Sequence, residues 1–201
     1  GPFYEQSLED ALSHAGDLLT IVAHPQRQGK LVEYWTLPML EALGTWPDGT
    51  EVYNGHYGIP SAIENGRWPL YDSFWDELLT AGHRVWGYAN DDFHDPEDFG
   101  NAFNMVLVDE ATPESIIRAA KAGRCYATTG LKLAHVCVDG SEIEVKTERV
   151  CDGRFVGPGG RILAEGKGRS FTYVASGECY VRFEGVCDAG RIFLQPMFRE
   201  S

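Results

Sequence analysis

The chain has 201 residues, enough for one large domain or two small ones, and its 43% hydrophobic content can build a core. With 30 acidic against 17 basic residues, a formal charge of −13 and no Lys/Arg-rich block, it would repel a phosphate backbone, which excludes nucleic acid as a partner. No run approaches about eighteen apolar residues and no basic-then-apolar segment opens the chain, so no membrane span or signal peptide is expected; five scattered cysteines without a CxxC pair predict reduced thiols and a cytoplasmic location.

In chain order, Ser7 with Asp10 forms a capping-box pattern for a short helix that Gly16 closes, and residues 18–23 read as a buried strand ending at His24-Pro25. A helix is predicted over 32–43, although Pro38 lies inside it. Residues 50–54 form a strand running into Gly55, followed by a Gly-, Pro- and aromatic-rich stretch to about Tyr71. Ser73 with Asp76 caps a helix that stops near Gly82. Residues 84–88 and 104–108 are strands, and Thr112-Pro113 opens a helix that Gly123 closes. This alternation is the pattern of an α/β fold. Beyond Gly130, short alternating segments at 132–138, 142–147, 171–174, 180–184 and 192–198 predict a small antiparallel β domain, which puts a boundary near residue 130.

Two predicted strands end in metal-competent side chains, at the strand end where α/β folds gather their active sites. His24 follows the first. Asp92 and His94 follow the strand at 84–88, and on an extended segment their i, i+2 spacing lets a carboxylate and an imidazole address one cation. That donor pair suits zinc, manganese or iron. Each motif alone is weak, since a strand-end histidine is more often a satisfied structural one. Other candidates have bland readings at least as good. Asp91 is either a partner orienting a ligand or a turn former, and Glu51 a salt-bridged or capping residue. His56 and Arg84 read as solvated positions before substrate contacts, and His83 as a helix C-terminal contact. The aromatics Trp68, Tyr71, Phe74 and Trp75 read as core before pocket.

Taken together, Ile21-Val22-Ala23-His24-Pro25, Glu51-Val52-Tyr53-Asn54-Gly55, Asp91-Asp92-Phe93-His94 and the segment from Ala119 to Gly130 resemble the polymerase and histidinol phosphatase (PHP) superfamily over about residues 8–130. Tyr180-Val181-Arg182 and Gln195-Pro196 in the tail resemble its carbaryl-hydrolase-like subgroup, although Arg191-Ile192-Phe193-Leu194 replaces the usual Trp-containing strand. The resemblance implies an α/β fold: the C-terminal portion of a distorted, TIM-like (β/α)7 barrel over 1–130, then an antiparallel β domain over 131–201. It also implies divalent ions (Zn, Mn or Fe) held by His24, Asp92 and His94, with Asp91 and His94 at the catalytic step. A metal-activated water would attack a small-molecule substrate, a phosphate ester first of all. The family's His-x-His motif, a further Asp-His ligand and a bridging Glu have no counterpart in this sequence, so the resemblance implies an N-terminally incomplete chain with doubtful independent activity. The rivals are a non-catalytic PHP-like module and an amide- or carbamate-cleaving hydrolase of the same fold.

Overall fold

The computed structural model describes residues 8–25 and 35–199. Helix α1 (Leu8–Ala15) ends at Gly16, which takes a φ of 56°; Ser7, the expected cap, lies outside the described residues. Three parallel strands follow in chain and spatial order: β1 (Ile21–Val22), β2 (Gly49–Asn54) and β3 (Trp86–Asn90). Every residue of β2 except Tyr53 is buried, as befits a central parallel strand covered on both faces.

The helices between these strands are short. Part of the segment expected to be helical at 32–43 lies outside the described residues; within them, α2 (Leu37–Glu41) starts from a Thr36 cap with Pro38 in its first turn, where a missing N–H costs nothing. A single-turn helix, α3 (Pro60–Glu64), precedes α4 (Asp72–Thr80). The buried Phe74, Trp75, Leu78 and Leu79 of α4 fall on one helical face and pack with Val22, Leu40 and Val52 into the first core. Ser73 does not cap α4, which begins at Asp72. Helix α5 (Pro113–Lys121) does begin at Thr112, whose hydroxyl accepts from the Ser115 amide.

The second sheet has eight antiparallel strands: β4 (Phe103–Val106), β5 (Cys125–Thr128), β6 (Leu133–Asp139), β7 (Glu142–Gly157), β8 (Arg161–Val174), β9 (Tyr180–Cys187), β10 (Gly190–Leu194) and β11 (Met197–Phe198). Its main path runs β4-β5-β10-β9-β7-β6, with β8 on β7 and β11 on β9. Strands from both sides of residue 130 share this sheet, since β5 pairs β10. A separate core of Ile143, Val145, Phe155, Phe171, Phe183 and Ile192 lies on it.

This architecture overturns the expected (β/α)7, TIM-like barrel. Alternating strands and helices reveal connectivity but not the direction of pairing: β4 and β5 flank α5, yet they pair antiparallel, with Phe103 opposite Thr128. The edge of β3 where a fourth parallel strand would dock is taken by two side-chain carboxamides. Gln195 accepts from the Gly87 amide and donates to its carbonyl, both at 2.8 Å. Asn104 does the same for Ala89, at 3.0 and 2.6 Å. Gly87 and Ala89 are two apart and present their polar groups on one side, so these amides stand in for a strand.

A buried ion cluster joins the two layers. Arg182, 1% exposed on β9, donates two bonds to Asp76 of α4, at 2.8 and 2.7 Å, and a third to Glu184 at 2.7 Å. Tyr180 adds a hydroxyl to Asp76, and Arg154 pairs with Glu184. Among the described residues, no helix is long and apolar enough to cross a membrane.

Candidate metal centre

Each parallel strand delivers one polar side chain two residues past its last residue. After β1 (ending at Val22) comes His24, after β2 (ending at Asn54) His56, and after β3 (ending at Asn90) Asp92. The loops turn sharply there. Among the described residues His24 (φ 49°) and Asp92 (φ 51°) are the non-glycine residues with positive φ, a conformation that costs about 1–2 kcal/mol each and persists only where surroundings enforce it.

Glu51 enforces it at His24. Its side chain, 0% exposed on β2, accepts from the His24 amide at 2.6 Å and contacts the ring Nδ1 at 3.0 Å. Asn54 donates to the other Glu51 oxygen at 3.0 Å and to Asp92 Oδ2 at 3.2 Å. Burial pushes the Glu51 carboxyl above its ordinary pKa, opposed chiefly by the His24 amide. A carboxylate on Nδ1 makes that nitrogen the donor and leaves Nε2 facing Asp92 Oδ2, 3.5 Å away. Tetrahedral ions hold neighbouring ligand atoms about 3.4 Å apart, so the His24–Asp92 edge already has the spacing of a shared cation.

His94 lies beyond Asp92, with Nδ1 3.8 Å from Asp92 Oδ1 and 2.5 Å from the Asp92 carbonyl. It is 59% exposed in its side chain. Its ring packs against that of His56 with centroids 4.8 Å apart, and His56 Nδ1 contacts Asp98 Oδ1 at 2.8 Å. Buried Asp98 sits in a single 3-10 turn, Pro96–Asp98, where its second oxygen accepts from the His94 and Asp95 amides, both at 2.9 Å. The Asp95 amide first, with the His94 amide and His56 adding to it against burial, lowers the Asp98 pKa to about 2.

His56, His94 and Asp98 therefore form a group that could hold a metal ion, with ligand atoms within 4.8 Å of one another. Closing on an ion requires them to draw in by about 1 Å. The donor set of two imidazoles and a carboxylate is one that zinc, manganese and iron accept. Close by, the Tyr71 hydroxyl is buried without a partner among the described residues, and its pKa is raised by burial and then by the charges of Glu51, Tyr57 and Asp92.

The expected ligands thus meet pairwise at one rim, His24 with Asp92 and Asp92 with His94. Asp91 does not join them. Its two oxygens accept from the Gly100 and Ala102 amides at 2.8 Å, tying down the loop after β3. The sequence motifs mark neither His56 nor Asp98 as a ligand. A usable signal for His56 was its place just past β2, matching His24 past β1; Asp98, four residues after His94, had none as clear. Neither a family model, nor a curated protein, nor a solved structure matches the chain.

Proposed function

We propose that the loops after β1, β2 and β3 form a divalent-metal centre and that the chain acts as a metal-dependent hydrolase, with phosphate esters as its first substrate class. The observation that carries this reading is the convergence of His56, His94 and Asp98 within 4.8 Å. The His24–Asp92 edge beside them and the PHP-like motifs around both support it, without the barrel of that family. Zinc, manganese or iron(II) bound there would supply Lewis acidity and a water made nucleophilic near neutral pH. The protein's part is to hold and orient. His56, His94 and Asp98 are the ligands, His24 and Asp92 flank them, and Glu51 fixes the ring of His24 so that Nε2 faces inward. Arg67 lies with its guanidinium 5.2 Å over the Tyr57 ring, itself packed on His24 and His56, and is placed to meet a substrate anion.

Calorimetric titration with Zn²⁺, Mn²⁺ and Fe²⁺ tests the centre: stoichiometric binding is expected in the wild type, weakened at least about tenfold in His56→Ala and His94→Ala. Hydrolysis of p-nitrophenyl phosphate that stops on chelation and returns with metal tests the activity. In Arg67→Ala, KM for the phosphate ester should rise several-fold with kcat little changed.

One observation favours a second reading, a metal-binding module without catalysis. The cavities of about 700 Å³ lie against Arg154, Glu184 and Arg191 and against Asp76, Thr80 and Gly160, and neither is lined by the five metal-competent residues. Tight metal binding with no turnover of phosphate esters or carbamates would select that reading.

A further inference from the structure

We propose that Cys151 on β7 and Cys187 on β9 are a cross-strand dithiol placed to close into a disulfide, independent of the metal centre. The antiparallel register pairs Arg154 with Glu184, Gly153 with Gly185 and Asp152 with Val186. The paired register ends at Asp152 and Val186; continued by one residue it puts Cys151 opposite Cys187, and both residues still lie inside their strands, where Cys151 pairs with Gly168 of β8 and Cys187 with Gly190 of β10. Directly opposed residues point to the same face with Cα atoms about 4.5–5.5 Å apart, inside the range of about 4.4–6.8 Å that a disulfide spans.

The surroundings fit the pair. The Cys151 sulfur leans toward β9, 3.1 Å from where a Cβ on Gly185 would stand, so the missing side chain there leaves it room to turn. The other cysteines are placed differently: Cys137 faces Glu144, Cys125 on β5 accepts from Gln195, and Cys179 is exposed outside the strands. Nearness also shows electrostatically, since burial and then the Cys187 charge raise the Cys151 thiol pKa.

Access sets the order of events. Cys151 is 1% exposed and Cys187 half-buried, so Cys187 meets the oxidant first. With a low-molecular-weight disulfide such as glutathione disulfide, the Cys187 thiolate attacks one sulfur, forms a mixed disulfide and releases one glutathione thiolate. The Cys151 thiolate then attacks the Cys187 sulfur, the bond to glutathione breaks, and the second thiolate leaves. Two protein thiols lose two electrons, and one glutathione disulfide becomes two thiols. The product ties β7 to the strand whose Tyr180 and Arg182 bind Asp76 of α4.

The test is thiol mapping of the folded chain after incubation with glutathione disulfide in mildly alkaline buffer, followed by alkylation, digestion and mass spectrometry. The expected result is a linked peptide pair carrying Cys151 and Cys187, with Cys125, Cys137 and Cys179 still alkylated or only glutathionylated. In Cys151→Ser the Cys187–glutathione adduct should accumulate, and in Cys187→Ser the linked pair should vanish. Cys187 remaining glutathionylated in the wild type with no link to Cys151, or a different pair linking first, overturns the proposal. The wild-type mapping needs no variant, so a folding defect in either serine form does not blunt it.

Discussion

At the level of single side chains, Glu51 decides the shape of the centre. It is buried, it braces a histidine in left-handed backbone, and it turns that histidine's free nitrogen toward Asp92. Glu51→Gln keeps the size and loses the charge, and the expected result is a loss of metal affinity smaller than in His56→Ala or His94→Ala, with the fold intact, measured by calorimetry beside circular dichroism. Glu178 offers a cleaner titration away from the centre. Its carboxylate accepts from the Tyr173 hydroxyl and the Ser176 amide, both at 2.7 Å, and these bonds, Tyr173 first, lower its pKa to about 2 from an ordinary 4.5. Because the folded value is the depressed one, the stabilisation is present above about pH 4.5 and disappears as pH falls through about 2. A carbon-detected NMR titration should find the Glu178 midpoint near 2; a midpoint near 4.5 would show that the turn does not hold it. His24, Asp92 and His94 were legible as polar residues just past apolar strands. Asp91 shows the limit of motif reading, since its neighbours in sequence suggest a ligand's partner while its oxygens belong to the amides of Gly100 and Ala102.

Among the elements, the outer edge of β3 depends on two side chains where a sheet would ordinarily use a backbone. Gln195→Ala and Asn104→Ala each expose a buried N–H and C=O without partners, and each should cost about 1–3 kcal/mol by denaturant unfolding. A second weak point is the junction of β5 and β10. A Cβ on Gly130 would stand 2.3 Å from the Ala189 carbonyl oxygen and one on Gly190 2.6 Å from that of Thr129, with both residues at positive φ. Alanine at either position should destabilise by more than about 1 kcal/mol in the same assay. The end of α5 was readable because Thr112, Pro113 and Gly123 carry local stop and start chemistry. The β7–β8 hairpin was underestimated, its 16 and 14 residues showing in sequence only as 142–147 and 171–174. Its middle is interrupted by Gly153, Gly166 and Gly168, which erase the alternation a strand is recognised by. Gly153 is needed there, because a Cβ would stand 2.6 Å from the Phe171 ring.

For the molecule as a whole, the two sheets are coupled through Arg182. Arg182→Met fills similar volume but leaves Asp76 and Glu184 buried with too little positive charge, and should cost about 3–5 kcal/mol. Because Asp76 belongs to α4 and Arg182 to β9, the loss should lower the stability of both layers together, read as a shift of one common unfolding transition by tryptophan fluorescence and far-UV dichroism. Neither this coupling nor the antiparallel sheet's path was legible, since partners more than a hundred positions apart leave no local trace in a single sequence. The carboxamide-sealed flank of β3 has one more consequence. Among the described residues the parallel sheet has a neighbour-free flank only beside β1, a strand of two residues with Ile21 37% exposed. Any strand recruited to widen that sheet, from this polypeptide or another, has a single berth: it must dock alongside Ile21–Val22, next to the loop that presents His24.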